Sequence, residues 1–435
     1  MIVLGSRGRR QLKSRIRNLW PTSGLLRQGA TLFLSNSLGQ ALAFLTSIAV
    51  GRLLGVHSFG QYATVMALVF VLGVFAEMGM ETHLTREVAR SPARSRELLL
   101  ASLLAKSMLG GVLALALALP ALAGLLAPDR SSVPAVQVAG LLLVLNAYNA
   151  SFSAVFRAWG RMGYVLAINV SGLSLQLAGA IPVLVAFRSV PALMVWLVVV
   201  QVYELALGWW LFRKSERMYG TGALHPRLRY LAADLLRRSL PFTLAGVVGA
   251  LTLRIDLFLI EALRGVSSAG VYGVALRLAD LLVLAPNSLY AALLPALAVA
   301  HNGGSVGTTY REAVRAMALV GLVATLLGLL LADLFVWFSF GEDFRAAAHP
   351  LQVLSLMLPA LLVNRTTTVQ LYASYREAHA NVGLVLNLGV RVAMGLMLVG
   401  AWGAPGAALA AVSGECALLC FYYLTGAMRA ESTQR

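Results

Sequence analysis

Six charged side chains fall inside stretches that otherwise read as hydrocarbon. Arg254 and Asp256 sit in LTLRIDLFLIEAL (251–263), Arg277 and Asp280 follow, and Arg365 and Arg391 come later. A charge at mid-bilayer costs about 2.5–3.5 kcal/mol on insertion scales, so it normally faces a cavity or a partner. Guanidinium suits an oxyanion: it stays charged, offers a planar fork of donors, and is more weakly hydrated than ammonium. Several arginines around one cavity would also concentrate an anionic cargo. The competing reading of each is an ion pair inside a helix bundle. Positions 254 and 256 lie about 200° apart on a helix and cannot share a face. The expectation is that Arg254 faces the cavity and Asp256 packs inward beside Thr252, with the opposite assignment open. Arg277 and Asp280 are i,i+3 neighbours and can pair. Asn387 and Arg391 form an i,i+4 polar stripe, and Arg365, in NRTTTVQ (364–370), can snorkel to the membrane surface. Arg254, Arg391, Arg277 and Arg365 are thus the candidate anion contacts.

The first half of the chain carries fewer buried charges. Glu77 and Lys106 lie at similar depth and read as a salt bridge, and Glu204, near the middle of its span, is a candidate protonatable coupling group together with Asp280. Asn36 and Gln40 share a face of the first span and, with Asn387, are candidates for the polar lining of a cavity; helix-packing hydrogen bonds are the alternative. Cys416 and Cys420 read as small buried hydrophobes. The six histidines lie in or beside connections without metal-ligand spacing, so no metal or other cofactor is expected.

The elements that position these residues are membrane helices. The 435-residue chain is 59% hydrophobic and 12% charged, against about 25% charge in a soluble domain. Apolar runs of about 20 residues, enough to cross a bilayer, recur near 28–51, 59–82, 97–119, 133–156, 164–187, 191–212, 239–262, 268–298, 313–338, 349–372, 380–400 and 404–426. They lack the alternation of a β-barrel. The net charge of +17 follows the membrane, not a nucleic acid. Twenty-four Lys and Arg fall in the tails and the loops on the side of the termini, and five (Arg52, Arg130, Arg188, Arg264, Arg345) in the opposite loops. That asymmetry places both termini in the cytoplasm. Residues 1–20 lack the apolar core of a signal peptide and read as a basic arm beside the membrane. The organisation expected is a cytoplasmic arm (1–27), a first lobe (28–212), a basic linker (213–238), a second lobe (239–426) and a short tail (427–435). Within the linker, 232–241 reads as an amphipathic surface helix, and Pro286 as a kink in the eighth span.

The two lobes are repeats. LLGVHSFGQYA (53–63) returns as LRGVSSAGVYG (263–273), so that Leu53, Gly55, Val56, Ser58, Gly60 and Tyr62 match residues 210 positions later. A weaker echo links FRAWGRMG (156–163) to LYASYREA (371–378). Both copies begin on the same side, which makes them parallel repeats of six helices, an arrangement in which two lobes can rock about a midplane site. At the 210 offset, Arg254 and Asp256 correspond to Phe44 and Thr46, and Arg277 and Asp280 to Ala67 and Phe70. The charges of the second lobe are therefore not required by the shared architecture.

The turn Gly51, Arg52, Leu54, Gly55, Phe59, Gly60, Tyr62, with RIDLFLI (254–260), GVYGVALRLAD (270–280) and PNSLYAALLPALA (286–298), resembles the polysaccharide-export branch of the multidrug/oligosaccharidyl-lipid/polysaccharide exporter superfamily, which includes Wzx-type flippases. The resemblance covers about 25–430. It implies a V-shaped pair of six-helix bundles around a central cavity, and translocation of an undecaprenyl-pyrophosphate-linked oligosaccharide from the inner to the outer leaflet of the cytoplasmic membrane. A pyrophosphate offers several anionic forks for guanidinium. The chain lacks the two extra helices of lipid II flippases, which disfavours a peptidoglycan precursor, and the first span has no acidic residue of the kind cation-coupled drug exporters often use. The expected protein is a transporter and not an enzyme, a monomer in the bilayer, with a polysaccharide polymerase as a further partner. A cation-coupled multidrug or metabolite antiporter is the alternative within transport; a membrane glycosyltransferase or polymerase is the alternative outside it, disfavoured by outward connections of about ten residues such as GEDFRAAAHP (341–350).

Overall fold

The computed structural model describes residues 22–126, 129–219, 228–283, 306–374 and 376–428, and those residues hold helices and no strand. The first lobe contains α1 (Thr22–Glu77), α2 (Met80–Arg90), α3 (Ser95–Ala118), α4 (Pro120–Leu126), α5 (Val133–Ala158), α6 (Met162–Phe187) and α7 (Val190–Tyr219). The second contains α8 (Leu228–Arg264), α9 (Val266–Leu282), α10 (Val306–Phe340), α11 (Ala348–Ser355), α12 (Leu358–Ala373), α13 (Glu377–Trp402) and α14 (Ala404–Leu424). In the first lobe α1 packs on α6, α3 on α5, and α7 on both α5 and α6; in the second, α13 packs on α8 and α14, and α10 on α12. This is the expected all-α, two-bundle membrane fold.

The spans depart in detail from the sequence reading. Eight helices among the described residues are long and apolar enough to cross a membrane, or nine if α12 is joined to the segment Glu342–Ser355, which meets it at 48°. The first of them, α1, is two spans folded at Gly55. Helices α8 and α9 stand where the seventh and eighth spans are expected; the eighth passes beyond the described residues after Val283, as does Pro286, and of the expected N-terminal arm residues 1–21 lie outside them while 22–27 begin α1. The surface helix expected over 232–241 does not stand apart. It forms the first turns of α8, which runs unbroken through Pro241. Ala232 and Leu235 there bury against Met78, Met80, Ala101 and Ala105, so the start of α8 is docked on the first lobe by an apolar face.

The helices turn their apolar sides both ways. Met108, Leu115, Leu330 and Met397 are 68–78% exposed, far more apolar surface than a soluble monomer tolerates. It forms the lipid-facing wall. Cys416 and Cys420 belong to this exposed side and are not buried. The reason is the neighbouring residue: α14 turns Glu415 into the bundle, which leaves Cys416 about 100° and Cys420 about 140° away from it around the helix.

The repeat has a structural basis at two glycines. Gly55 (φ 77°, ψ −178°) and Gly265 (φ 82°, ψ 172°) adopt the same backbone conformation, one that residues with a Cβ avoid, and each reverses the chain into a helical hairpin. The two hairpins then cross. A Cβ on Gly60 would lie 2.0 Å from the Val266 carbonyl oxygen, and one on Gly270 would lie 2.2 Å from that of Val56. Both contacts join repeat-equivalent residues in opposite lobes, so α1 and α9 touch backbone to backbone, as small residues allow in membranes. Around the crossing, Phe59 packs edge-on to Phe340 and Phe344 at 5.5 and 5.6 Å, Arg52 Nε donates to the Ser339 carbonyl at 2.8 Å, and His57 lies 3.4 Å from Ser267 Oγ. The hairpin ends of the two lobes are closed on each other.

Gly60→Ala or Gly270→Ala must push the lobes apart, at an overpacking cost of about 1–3 kcal/mol. Spin labels at Leu53→Cys and Leu263→Cys, exposed hairpin positions, are expected to report a longer, broader interlobe distance in either variant than in the parent.

An arginine-lined cavity between the lobes

Three elements bring charge to the space between the lobes. Arg254 on α8 lies 11 residues before Gly265, and Arg277 and Asp280 on α9 lie 12 and 15 after it, which puts all three about 16–22 Å from the hairpin end, near the middle of a hydrocarbon core of about 30 Å. They line a cavity of ≈ 320 Å³ with Gln40 and Phe44 of α1 and with Leu361 and Arg365 of α12. The cavity is built by both lobes, and its charges come from the second.

Arg254 is held between repeat-equivalent partners. Its guanidinium lies 5.2 Å from the centroid of the Phe70 ring of the first lobe and 3.8 Å from Asp280 Oδ2 of the second. Phe70 is the residue that Asp280 matches at the 210 offset. The expected pairing of Arg277 with Asp280 is not formed: Asp280 is turned toward Arg254, and among the described residues Arg277 has no ion pair. The Arg254–Asp280 contact is long and Asp280 is half exposed, a pair that an incoming oxyanion can displace.

The other half of the RID motif points away from the cavity, as the helical wheel expects. Asp256 is 3% exposed, and Arg391 of α13 is 4% exposed. Arg391 Nη1 donates to Asp256 Oδ2 and to the Thr252 carbonyl, both at 2.9 Å, its Nη2 donates to Glu415 Oε1 at 3.1 Å, and its Nε donates to Asn387 Oδ1 at 3.1 Å. Asn387 also donates to Glu415 Oε1, Asn364 donates to Glu415 Oε2, and the Tyr272 hydroxyl donates to Asp256 Oδ2. Gly414 leaves the room for this: a Cβ there would lie 2.4 Å from Asn387 Oδ1 and 2.5 Å from Arg391 Cγ. Five helices, α8, α9, α12, α13 and α14, meet in one buried network. Arg391 reaches the cavity wall, but its donors are committed to two carboxylates, a carbonyl and an amide. Asn387 is buried in the same network and does not line the cavity.

The remaining candidates are dispersed. Asn36 is exposed one turn before Gln40 on α1 and is not in the cavity lining. Glu204 is buried inside the first lobe, where Asn149 Nδ2 donates to it at 3.3 Å and Gly172 makes space for it; a Cβ at 172 would lie 1.8 Å from Glu204 Oε1. The expected Glu77–Lys106 bridge is not made. Lys106 is fully buried, and its ammonium donates to the Ala147 carbonyl at 2.7 Å, while Glu77 Oε1 is left without a partner. The carbonyl lies closer to the lysine than the carboxylate does, and it satisfies the buried donor. The sequence reading passed over Glu415 and Asn364. A lone acid next to a glycine in an apolar span (SGEC, 413–416) was the available signal.

Two helix bundles closed on each other at one end, with a charged cavity at their seam, are the frame in which this chain resembles known proteins. Residues 25–301 match the family described as "Polysaccharide biosynthesis protein", and the chain belongs to that family. Among solved structures, it is similar to the lipid II flippase MurJ in an inward closed conformation (TM-score 0.73, 12% identity, 91% of this chain and 87% of that one). It is also similar to an inward-facing multidrug resistance MATE family transporter of the MOP superfamily (TM-score 0.72, 17% identity, 89% and 93%). A third match is a MOP superfamily transporter from Pyrococcus furiosus, described by the reverse polarity of its binding pocket (TM-score 0.64, 17% identity, 93% and 94%). No curated protein matches the sequence.

Removing Arg391 leaves Asp256 and Glu415 buried without a cation. Arg391→Ala is expected to destabilise the protein by about 3–5 kcal/mol, and Arg391→Lys to recover little of it, because one ammonium cannot reproduce the planar fork. Thermal unfolding of the detergent-purified protein checks both.

Proposed function

We propose that the protein flips a polyprenyl-pyrophosphate-linked oligosaccharide from the inner to the outer leaflet of the cytoplasmic membrane by alternating access, as a monomer with both termini in the cytoplasm. The observation that carries this reading is the convergence of Arg254, Arg277 and Arg365 on one interlobe cavity at mid-depth. Membership of a polysaccharide biosynthesis family supports it, and so does the likeness to a flippase of a lipid-linked substrate. In this reading the three guanidiniums take the pyrophosphate, and Gln40 faces the glycan. Asp280 keeps Arg254 poised while the cavity is empty and yields it when a phosphate arrives. Arg391 holds the wall and does not grip the cargo. The closed hairpin ends are the outer gate, so the state described is loaded from the cytoplasmic side.

Two charge-assisted contacts, each worth about 1.5–3 kcal/mol, predict a loss of roughly hundredfold or more when both are removed. Arg254→Glu with Arg277→Glu is expected to abolish surface glycan display while the protein is made and purifies normally. Display at the parental level would overturn the assignment of these arginines. Efflux of organic cations by the parent, with unchanged display in the double variant, would favour a multidrug antiporter.

A further inference from the structure

An acid stands on the lipid-facing wall of the second lobe, apart from the arginine cavity. Along α10 the exposed side chains of Leu319, Leu326, Leu330, Leu334, Trp337 and Phe338 form one apolar stripe. Asp333 is exposed within it, no more than about 60° around the helix from Leu326, Leu330 and Trp337. It lies 18 residues after Arg315, near the inner end of α10, and 7 before Phe340, where the helix ends. Those separations are about 27 Å and about 10 Å along the axis, so the carboxylate sits two turns inside the outer end. Lysine and arginine reach the membrane surface from such a depth on long stems. Aspartate has one methylene and does not.

Nothing else in the described residues answers this charge. Asp333 has no hydrogen bond and no ion pair among them. At that end of α10, Arg52 donates to the Ser339 and Phe338 carbonyls, and Arg345 donates to Glu342. The architecture does not demand the acid either. The third span of the first lobe, α3, exposes Met108, Val112 and Leu115 along its wall and holds no acid after Glu97 in its first turn. A carboxylate in hydrocarbon is costly, and membrane proteins normally give it a cation or a cavity. Asp333 faces outward instead.

We infer that the α10 wall around Asp333 is the docking face for a transmembrane helix of another protein, one that brings an arginine or lysine to the same depth. The partner's cation carries the same cost when alone, so pairing relieves both. Packing and interhelical hydrogen bonds hold helices together where lipid removes the hydrophobic driving force, and Leu330, Leu334 and Trp337 flank the acid to supply the packing. A second copy of this chain does not fit. Two copies inserted the same way up and joined two-fold on this face would set Asp333 against Asp333. The exposed arginines and lysines of the described residues stand near helix ends or in connections, not at this depth. The face is independent of the cargo that the interlobe cavity carries.

The test uses the full-length protein in proteoliposomes, with Cys416 and Cys420 replaced by Ser and a donor fluorophore at Arg345→Cys. The probe is a Leu-Ala transmembrane helix of about 22 residues, with an acceptor at its outer end and arginine, leucine or glutamate two turns inside that end. Half-maximal energy transfer to the arginine helix is expected at a helix-to-lipid ratio about tenfold lower than for the leucine helix. Asp333→Leu is expected to remove the difference, and Asp333→Arg to move the preference to the glutamate helix. Equal transfer to the arginine and leucine helices, a preference that persists in Asp333→Leu, or a glutamate helix that Asp333→Arg does not attract would each overturn the assignment. In cells, a photocrosslinker at Leu334 is expected to join a different membrane protein through a helix that mass spectrometry shows to hold an arginine or lysine, and Asp333→Leu to abolish the adduct. Adducts with a second copy alone, or with a helix that has no cation, would count against it equally.

Discussion

The second lobe is organised around one arginine. Arg391 spends every direction of its guanidinium on partners from other helices or on the preceding turn: Asp256 and Thr252 on α8, Glu415 on α14, Asn387 on its own helix. Such a network cannot be dismantled piecemeal, since the loss of the cation strands two carboxylates in a low-dielectric interior. It also fixes rotation. With Asp256 pinned inward, Arg254 two residues earlier must point about 200° away, toward the interlobe space. With Tyr272 bonded to Asp256, α9 is held beside α8, which sets where Arg277 and Asp280 emerge. A structural ion network thus aims the charged residues that line the interlobe cavity.

The repeat makes the division of labour visible. Both lobes use the same glycine to turn their first hairpin and the same glycine to cross each other, so the contact between the hairpins is symmetric. The cavity is not. Where the second lobe has Arg254, Asp256 and Asp280, the first has Phe44, Thr46 and Phe70. The first lobe offers aromatic and apolar walls, and Phe70 stacks near Arg254. An aromatic face on one side and a half-exposed carboxylate on the other leave the Arg254 guanidinium anchored by a long contact at the cavity wall.

Much of this was legible in the sequence. The all-helical membrane architecture, the parallel repeat and the asymmetry of charge between the halves all follow from composition and spacing, and the helical wheel separated Arg254 from Asp256. What failed depended on contacts between distant segments. Arg277 and Asp280 are neighbours on one helix, but the partner of Asp280 is 26 residues upstream across a hairpin. Lys106 and Glu77 share a depth, but a nearer carbonyl captured the lysine. Glu415 looked incidental because one acid in an apolar span carries no spacing signal; only the fold shows that it closes a network. The cysteines were misjudged because helix α14 is oriented by Glu415 and not by its small residues.

The central claim is that the cavity recognises a pyrophosphate head. Binding of undecaprenyl pyrophosphate and of undecaprenol, the same chain without phosphates, to the purified protein in nanodiscs tests it most directly, read by native mass spectrometry. The account predicts that the pyrophosphate form binds at least about tenfold more tightly, and that Arg254→Gln with Arg277→Gln erases the difference. Equal retention of the two lipids by the unmodified protein would contradict it.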